Sequence, residues 1–272
     1  MDKIHEPHLL VQWANLLFGS IVESARLALH LKPTPPGQDV IPDFLVMSAI
    51  IFLAFVVLGF IVRSRLSADN PSRWQVVLED LVLALQGMLD EYIGPKGRKY
   101  LPLVSALGGY ILVGNYLGLV PGFMAPTSNI NVTFGCSITV WVYYHIEGIR
   151  THGLFRYLKH FCGPAGVPVF MIPIMLVIEL ISHAARVVSL TLRLFGNIFG
   201  EELVILILGM LVPLFIPMPI MLLSLITGGL QAFIFVLLTV IYLQGAVVVE
   251  HAEAHGHDAH DSHVPLDEAV PA

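Results

Sequence analysis

The sequence predicts an all-α membrane protein: about five transmembrane helices, the last two long and tilted, an N-terminal amphipathic helix and one interfacial amphipathic helix. All of it is expected to form a single membrane domain over 1–272. Three observations carry this prediction. Of 272 residues, 56% are hydrophobic and only 12% charged, with a mean hydropathy of +0.79; a soluble domain carries about twice that charge fraction. Several charge-free runs reach the roughly 20 residues needed to cross a bilayer. Two other stretches are apolar along one stripe only, the pattern of helices that lie on a membrane surface.

Taken in order, 8–31 reads as the N-terminal amphipathic helix, with Leu9, Trp13, Leu16, Leu17, Ile21 and Val22 at helical spacing. The prolines at 33, 35 and 36 end it. The first span is 44–62, where Phe44 to Val62 is 19 residues without a charge. Asn70-Pro71 supplies an expected N-cap and first-turn proline for an interfacial helix over 71–93. There Trp74, Val77, Leu78, Leu81, Leu85, Met88, Leu89 and Tyr92 form one stripe, opposite Arg73, Glu79, Asp90 and Glu91. Tyr100 to Tyr144 holds no charge over 45 residues, enough for spans at 100–120 and 130–147 around a turn with Pro121, Gly122, Pro126 and Asn129. The last apolar region is too long for one helix, and Pro213, Pro217 and Pro219 divide it into 165–212 and 219–249. A histidine-rich segment, 250–272, is expected to be a flexible tail.

Charge orients the spans. Of 14 Lys and Arg residues, six lie in Arg63–Lys99 and three in Arg150–Lys159, while the turns at Pro121 and Pro213 have none. The positive-inside rule puts both basic segments in the cytoplasm, the N-terminus outside and the C-terminus inside. Met1 to Pro7 has neither the layout of a cleavable signal nor that of a transit peptide, so insertion is expected to rest on the first span. Cys136 in an apolar run and Cys162 in a basic loop suggest no disulfide framework. No basic and aromatic run points to nucleic acid. The net charge of −6 says little, because much of it sits in the tail.

The functional clue is an arginine inside an apolar helix. From Gly163 to Val249 there are 87 residues and five formal charges: Glu179, Arg186, Arg193, Glu201 and Glu202. An intramembrane Arg costs about 2.5–3.5 kcal/mol on insertion scales, so it faces protein or water and has a use there. A guanidinium keeps its charge, so it cannot carry protons but can hold a carboxylate and repel protons. On a helix Glu179, Arg186, Arg193, Asn197 and Glu201 share one face, while Glu202 lies on roughly the opposite side from Arg193. Glu179 and Arg186 could pair with each other as a structural staple. Arg193 has no carboxylate at i±3 or i±4, which implies an acidic partner on another chain.

The run Ser189-Leu190-Thr191-Leu192-Arg193-Leu194-Phe195-Gly196-Asn197, followed by Glu202 and by Gln231-Ala232-Phe233-Ile234-Phe235, resembles subunit a of F-type ATP synthase. Pro126-Thr127-Ser128-Asn129-Ile130-Asn131-Val132-Thr133 is similar to a second motif of that family, and the resemblance covers roughly 43–249. It implies a static proton channel in a bacterial plasma membrane, surrounded by lipid. The implied partners are a rotating c-subunit ring, peripheral-stalk b subunits and the remaining ATP synthase subunits, with no cofactor and no metal. By the same resemblance Arg193 faces the ring carboxylate. Asn197, Glu201, Glu202 and Gln231 would belong to the outer half-channel. Glu179, Ser182 and Arg186 would belong to the cytoplasmic one. Many members carry a histidine where this chain has Ser224, and Glu201 is the expected replacement, as in plastid-type members. An acidic position of the family is Gly118 here.

His183, one turn from Glu179, fits either the cytoplasmic proton path or a hydrogen bond within the bundle. Asn115 and Tyr110 read as packing groups. A stand-alone proton-coupled transporter is the alternative function, but its usual internal repeats are missing. A His-Glu-x-x-His protease motif and a phosphate-binding Gly-rich loop are both absent from the sequence, so no nucleotide site is expected on this chain.

Overall fold

The computed structural model describes residues 9–29, 35, 39–67, 71–120, 123–155, 157, 169–211 and 217–247. The histidine-rich tail 250–272, the turn at Pro213 and the loop with Cys162 lie outside the described residues. The described residues are mostly helical, with no strand among them. In chain order the helices are α1 (Leu9–Ala28), α2 (Asp43–Arg65), α3 (Arg73–Tyr92), α4 (Leu101–Leu117), α5 (Ile130–His152), α6 (Ile172–Leu211) and α7 (Pro217–Val247). Short 3₁₀ turns at Pro95–Tyr100, Pro126–Ser128 and Val169–Met171 lead into α4, α5 and α6.

Among the described residues, four helices are long and apolar enough to cross a membrane: Asp43–Arg65, Pro95–Leu117, Ile172–Met210 and Met218–Val247. The other expected crossing, α5, has 23 residues but includes Tyr143, Tyr144, His145, Glu147 and Arg150. Those polar groups make it less apolar than the other four, and the helix packs against α6 and α7. Its Glu147 is buried, held by Lys99 Nζ at 2.7 Å, Arg150 Nη1 at 3.1 Å and the Tyr100 hydroxyl at 3.2 Å. With three donors this carboxylate is satisfied where it sits. It ties the base of α4 to α5.

The core is built by α4, α5, α6 and α7, around Val104, Ile111, Val140, Tyr144, Leu190, Leu194, Ile198, Phe235, Val236 and Val240. In lipid such contacts act through close packing rather than through water exclusion, which favours small residues where helices meet. Gly118, at the end of α4, shows this: a Cβ there would stand 2.7 Å from the Ala125 Cβ. An acidic side chain has no room at that position. Helix α6 runs 40 residues without interruption, about 60 Å at 1.5 Å per residue. The hydrocarbon core is about 30 Å thick, so α6 cannot stand upright within it.

Two amphipathic expectations resolve differently. Helix α1 leaves Trp13, Leu16, Leu17 and Ile21 exposed, and is tied to the start of α2 by Asn15. That side chain accepts from the Ile41 N–H at 2.8 Å and donates to the Ile41 carbonyl at 3.1 Å. In α3 the apolar stripe divides. Trp74, Val77 and Leu81 are exposed, whereas Leu85, Met88, Leu89 and Tyr92 pack on the core. The observed N-cap is Ser72 and not the expected Asn70, which lies outside the described residues. The Ser72 hydroxyl oxygen accepts from the Gln75 N–H at 3.3 Å, the contact an N-cap makes with its third helical residue. At the other end of α3, the Arg98 hydrogen bond to Asp90, 2.7 Å at its shortest, holds that carboxyl below its usual pKa.

Candidate functional site

Helix α6 carries the charged residues singled out from the sequence, and its register decides what each one meets. Leu190, Leu194 and Ile198 turn into the core, so Arg193 between them turns out. Arg193 is exposed, and among the described residues it makes no hydrogen bond or ion pair. Glu179 lies fourteen residues before it and Glu202 nine after, about 21 Å and 14 Å along the axis. The arginine therefore stands alone between two polar clusters.

Toward the C-terminal end, Asn197 Nδ2 donates to Gln231 Oε1 on α7 at 2.8 Å, and Gln231 is buried. One turn on, Glu201 Oε1 accepts from the Thr227 hydroxyl, also on α7. Glu202 points elsewhere: its Oε1 accepts from the Ala125 N–H at 3.2 Å, in the turn ahead of α5. Adjacent residues on a helix diverge by about 100°, and here that divergence sends two neighbouring acids to two different elements. Behind them runs a buried polar link. Thr127 Oγ1 donates to Asn115 Oδ1 at 2.8 Å, and Asn115 Nδ2 donates to the Gly228 carbonyl at 3.0 Å. This fastens α4, the 126–128 turn and α7 together, the packing role expected of Asn115. Tyr110 likewise bonds the Ser48 hydroxyl at 2.8 Å. Ser224, one turn before Thr227, is buried, and its hydroxyl has no partner among the described residues.

The N-terminal cluster is of another kind. Glu179 Oε1 lies 3.2 Å from His183 Nε2, and His183 Nδ1 lies 2.7 Å from the Tyr144 hydroxyl on α5. Neighbouring His145 has Nδ1 2.6 Å from the Tyr157 hydroxyl, and its ring centre is 4.8 Å from that of His183. The Arg186 guanidinium sits 5.3 Å above the ring of Tyr242 on α7, a cation–π geometry. The partner of Glu179 is thus His183 and not Arg186. Ser182 is half-buried beside His183.

Sequence reading therefore reached the charged members of both clusters but not Tyr144, His145, Tyr157 or Thr227. The one available signal was Tyr143-Tyr144-His145, three hydrogen-bonding side chains together in a span. Their relation to α6 is tertiary, and no spacing rule carries it.

The ATP synthase A chain family model matches residues 44–244. Among similar proteins, ATP synthase subunit a 3 of Pelobacter propionicus is 42% identical over 235 residues, covering 86% of this chain and 98% of the relative. ATP synthase subunit a of Citrifermentans bemidjiense is 45% identical, covering 77% of this chain and 89% of the relative. That of Geobacter sulfurreducens is 39% identical, with 87% and 98% covered. Together with the helical, apolar architecture, these matches mean that the chain belongs to the ATP synthase subunit a family, multi-pass proteins of the bacterial plasma membrane that assemble with the other ATP synthase subunits and serve proton transport.

Proposed function

We propose that this chain is the static proton channel of a rotary ATP synthase, with two offset half-channels separated by Arg193. The observation that carries the reading is the solitary, exposed guanidinium midway along α6, while the carboxylates on either side are engaged within the chain. A charge that cannot be lost, on a face otherwise made for lipid or protein, asks for an anion from outside the chain. The c-subunit ring is that partner, and its carboxylate is the anion.

The physics of the cycle follows. Next to Arg193 a ring carboxylate is favoured in its ionised form and gives up its proton. Facing lipid, the same carboxylate must be neutral, because burying it charged is too costly. Rotation then carries neutral acids the long way round, and the fixed positive charge of Arg193 blocks a direct proton leak. Each proton crossing a 100 mV potential releases about 2.3 kcal/mol.

In this reading Asn197, Glu201, Glu202 and Gln231 border the outer half-channel, and Glu179, Ser182, His183 and Arg186 border the cytoplasmic one. Glu201, bonded to Thr227 one turn from Ser224, supplies the titratable group that a histidine gives many relatives. The N-terminus is outside and the C-terminus cytoplasmic, as the loop charges require. Peripheral-stalk b subunits hold the chain still against the ring.

Arg193→Ala tests the reading. It is expected to abolish ATP-driven proton pumping in membrane vesicles while the c ring still copurifies. Pumping near the wild-type rate would overturn the assignment.

A further inference from the structure

We propose that His183 is a proton-loading group of the cytoplasmic half-channel, reached through the hydroxyl of Tyr144. The inference rests on the half-channel reading above and adds a residue on α5 that lies outside the polar stripe of α6. Tyr144 and His183 are both buried, at 1% and 7% exposure, while the Glu179 side chain is about a third exposed, at 35%. The three groups therefore run from the bundle interior toward its surface.

Both nitrogens of the His183 ring are engaged, Nδ1 with Tyr144 at 2.7 Å and Nε2 with Glu179 at 3.2 Å. That geometry engages both ring nitrogens in two protonation states. With a neutral ring, the phenol donates to Nδ1 and Nε2–H donates to the Glu179 carboxylate. With a charged ring, Nδ1–H donates to the phenol oxygen, and Nε2–H still donates to Glu179. Passing between the two requires only one proton and rotation of the Tyr144 hydroxyl about its C–O bond. On loading, an incoming proton binds the Tyr144 oxygen as the phenol's own proton moves to Nδ1. Unloading is the reverse. No proton is lost, and the ring needs no flip to reset.

The surroundings suit a group that changes charge. Glu179 offers a countercharge from α6. His145 on α5 lies 4.8 Å away ring to ring, and is itself held by Tyr157. Arg186 on α6 lies over Tyr242 of α7, whose ring is 6.3 Å from that of Tyr144, and its fixed positive charge also acts on the Tyr144 hydroxyl. Two imidazoles this close disfavour being charged together, so loading one holds the other neutral.

The test uses the whole ATP synthase in membrane vesicles, with ATP-driven pumping measured against the pH of the medium on the ATP side. His183→Gln should remove one titration step from the rate profile and slow pumping severalfold on the alkaline side of it. Tyr144→Phe keeps the ring volume and should displace the same step. Copurification of the c ring checks assembly of both. Profiles that superimpose on the wild type, a loss uniform at every pH, or failure of both variants to assemble would each overturn the proposal. Arg193→Ala in the same vesicles separates the two claims. Pumping retained there sinks the half-channel reading. Pumping lost there, with both other profiles unchanged, sinks only the proton-loading role.

Discussion

The two ends of α6 hold their acids by different chemistry. At the C-terminal end, Glu201 and Glu202 accept from neutral donors, a threonine hydroxyl and a backbone N–H. At the N-terminal end, Glu179 faces an imidazole, with a second imidazole, three phenols and a guanidinium close behind. Neutral donors hold a carboxylate in place and leave its charge to the water it meets. An imidazole can exchange protons with its partner and respond to pH. In the proposed reading the first cluster presents acids and the second passes protons on. Between them stands Arg193, a fixed charge that makes no hydrogen bond or ion pair among the described residues.

The contrast breaks most severely if the paired acids do not act together. In ring-containing vesicles, passive proton flux is expected to fall further in the Glu201→Gln, Glu202→Gln double variant than in either single one. The two acids reach different elements, so in the proposed reading each supplies a separate contact with the outer path. A double variant no slower than Glu202→Gln alone would make Glu201 a bystander.

Next in size is the scaffold behind the outer acids. Asn115→Ala leaves the buried Thr127 hydroxyl without its acceptor and removes the interhelical donor that the Gly228 carbonyl has beside its own helical hydrogen bond. A buried orphan costs about 1–3 kcal/mol. Thermal denaturation in detergent should show a clear loss of stability, with Asn115→Asp retaining part of it through the Thr127 bond. The smallest effect is expected between Asn197 and Gln231. A double-mutant cycle with alanine should give a coupling of about 0.6 kcal/mol, the average for hydrogen bonds between membrane helices. A coupling near zero would remove this bond from the outer cluster.

The legible part of the fold follows from burial without charge. The helix expected over 44–62 falls within α2, because nothing in that run interrupts it. The helix expected over 165–212 is observed from Ile172 to Leu211, and Pro217 and Pro219 fall in the first turn of α7. Less legible was α3. Its stripe is one face in sequence, yet half of it packs on the core and half does not, since α4 begins beside its C-terminal end only. In the site, the divergence of Glu201 from Glu202 was readable from helix geometry alone. The bonds of Tyr144 to His183 and Thr227 to Glu201 join positions 39 and 26 residues apart, and arise only when the helices pack.

The central claim, that the two clusters open to opposite sides of the membrane with Arg193 between them, is tested most directly by side-specific labelling. Single cysteines at Glu179 and Glu202, each in a chain with Cys136 and Cys162 replaced by serine, are reacted with a membrane-impermeant thiol reagent. Sealed vesicles of both orientations carry the assembled ATP synthase. The account predicts that Glu179→Cys labels only from the cytoplasmic side and Glu202→Cys only from the outside. Labelling of both from one side would contradict it.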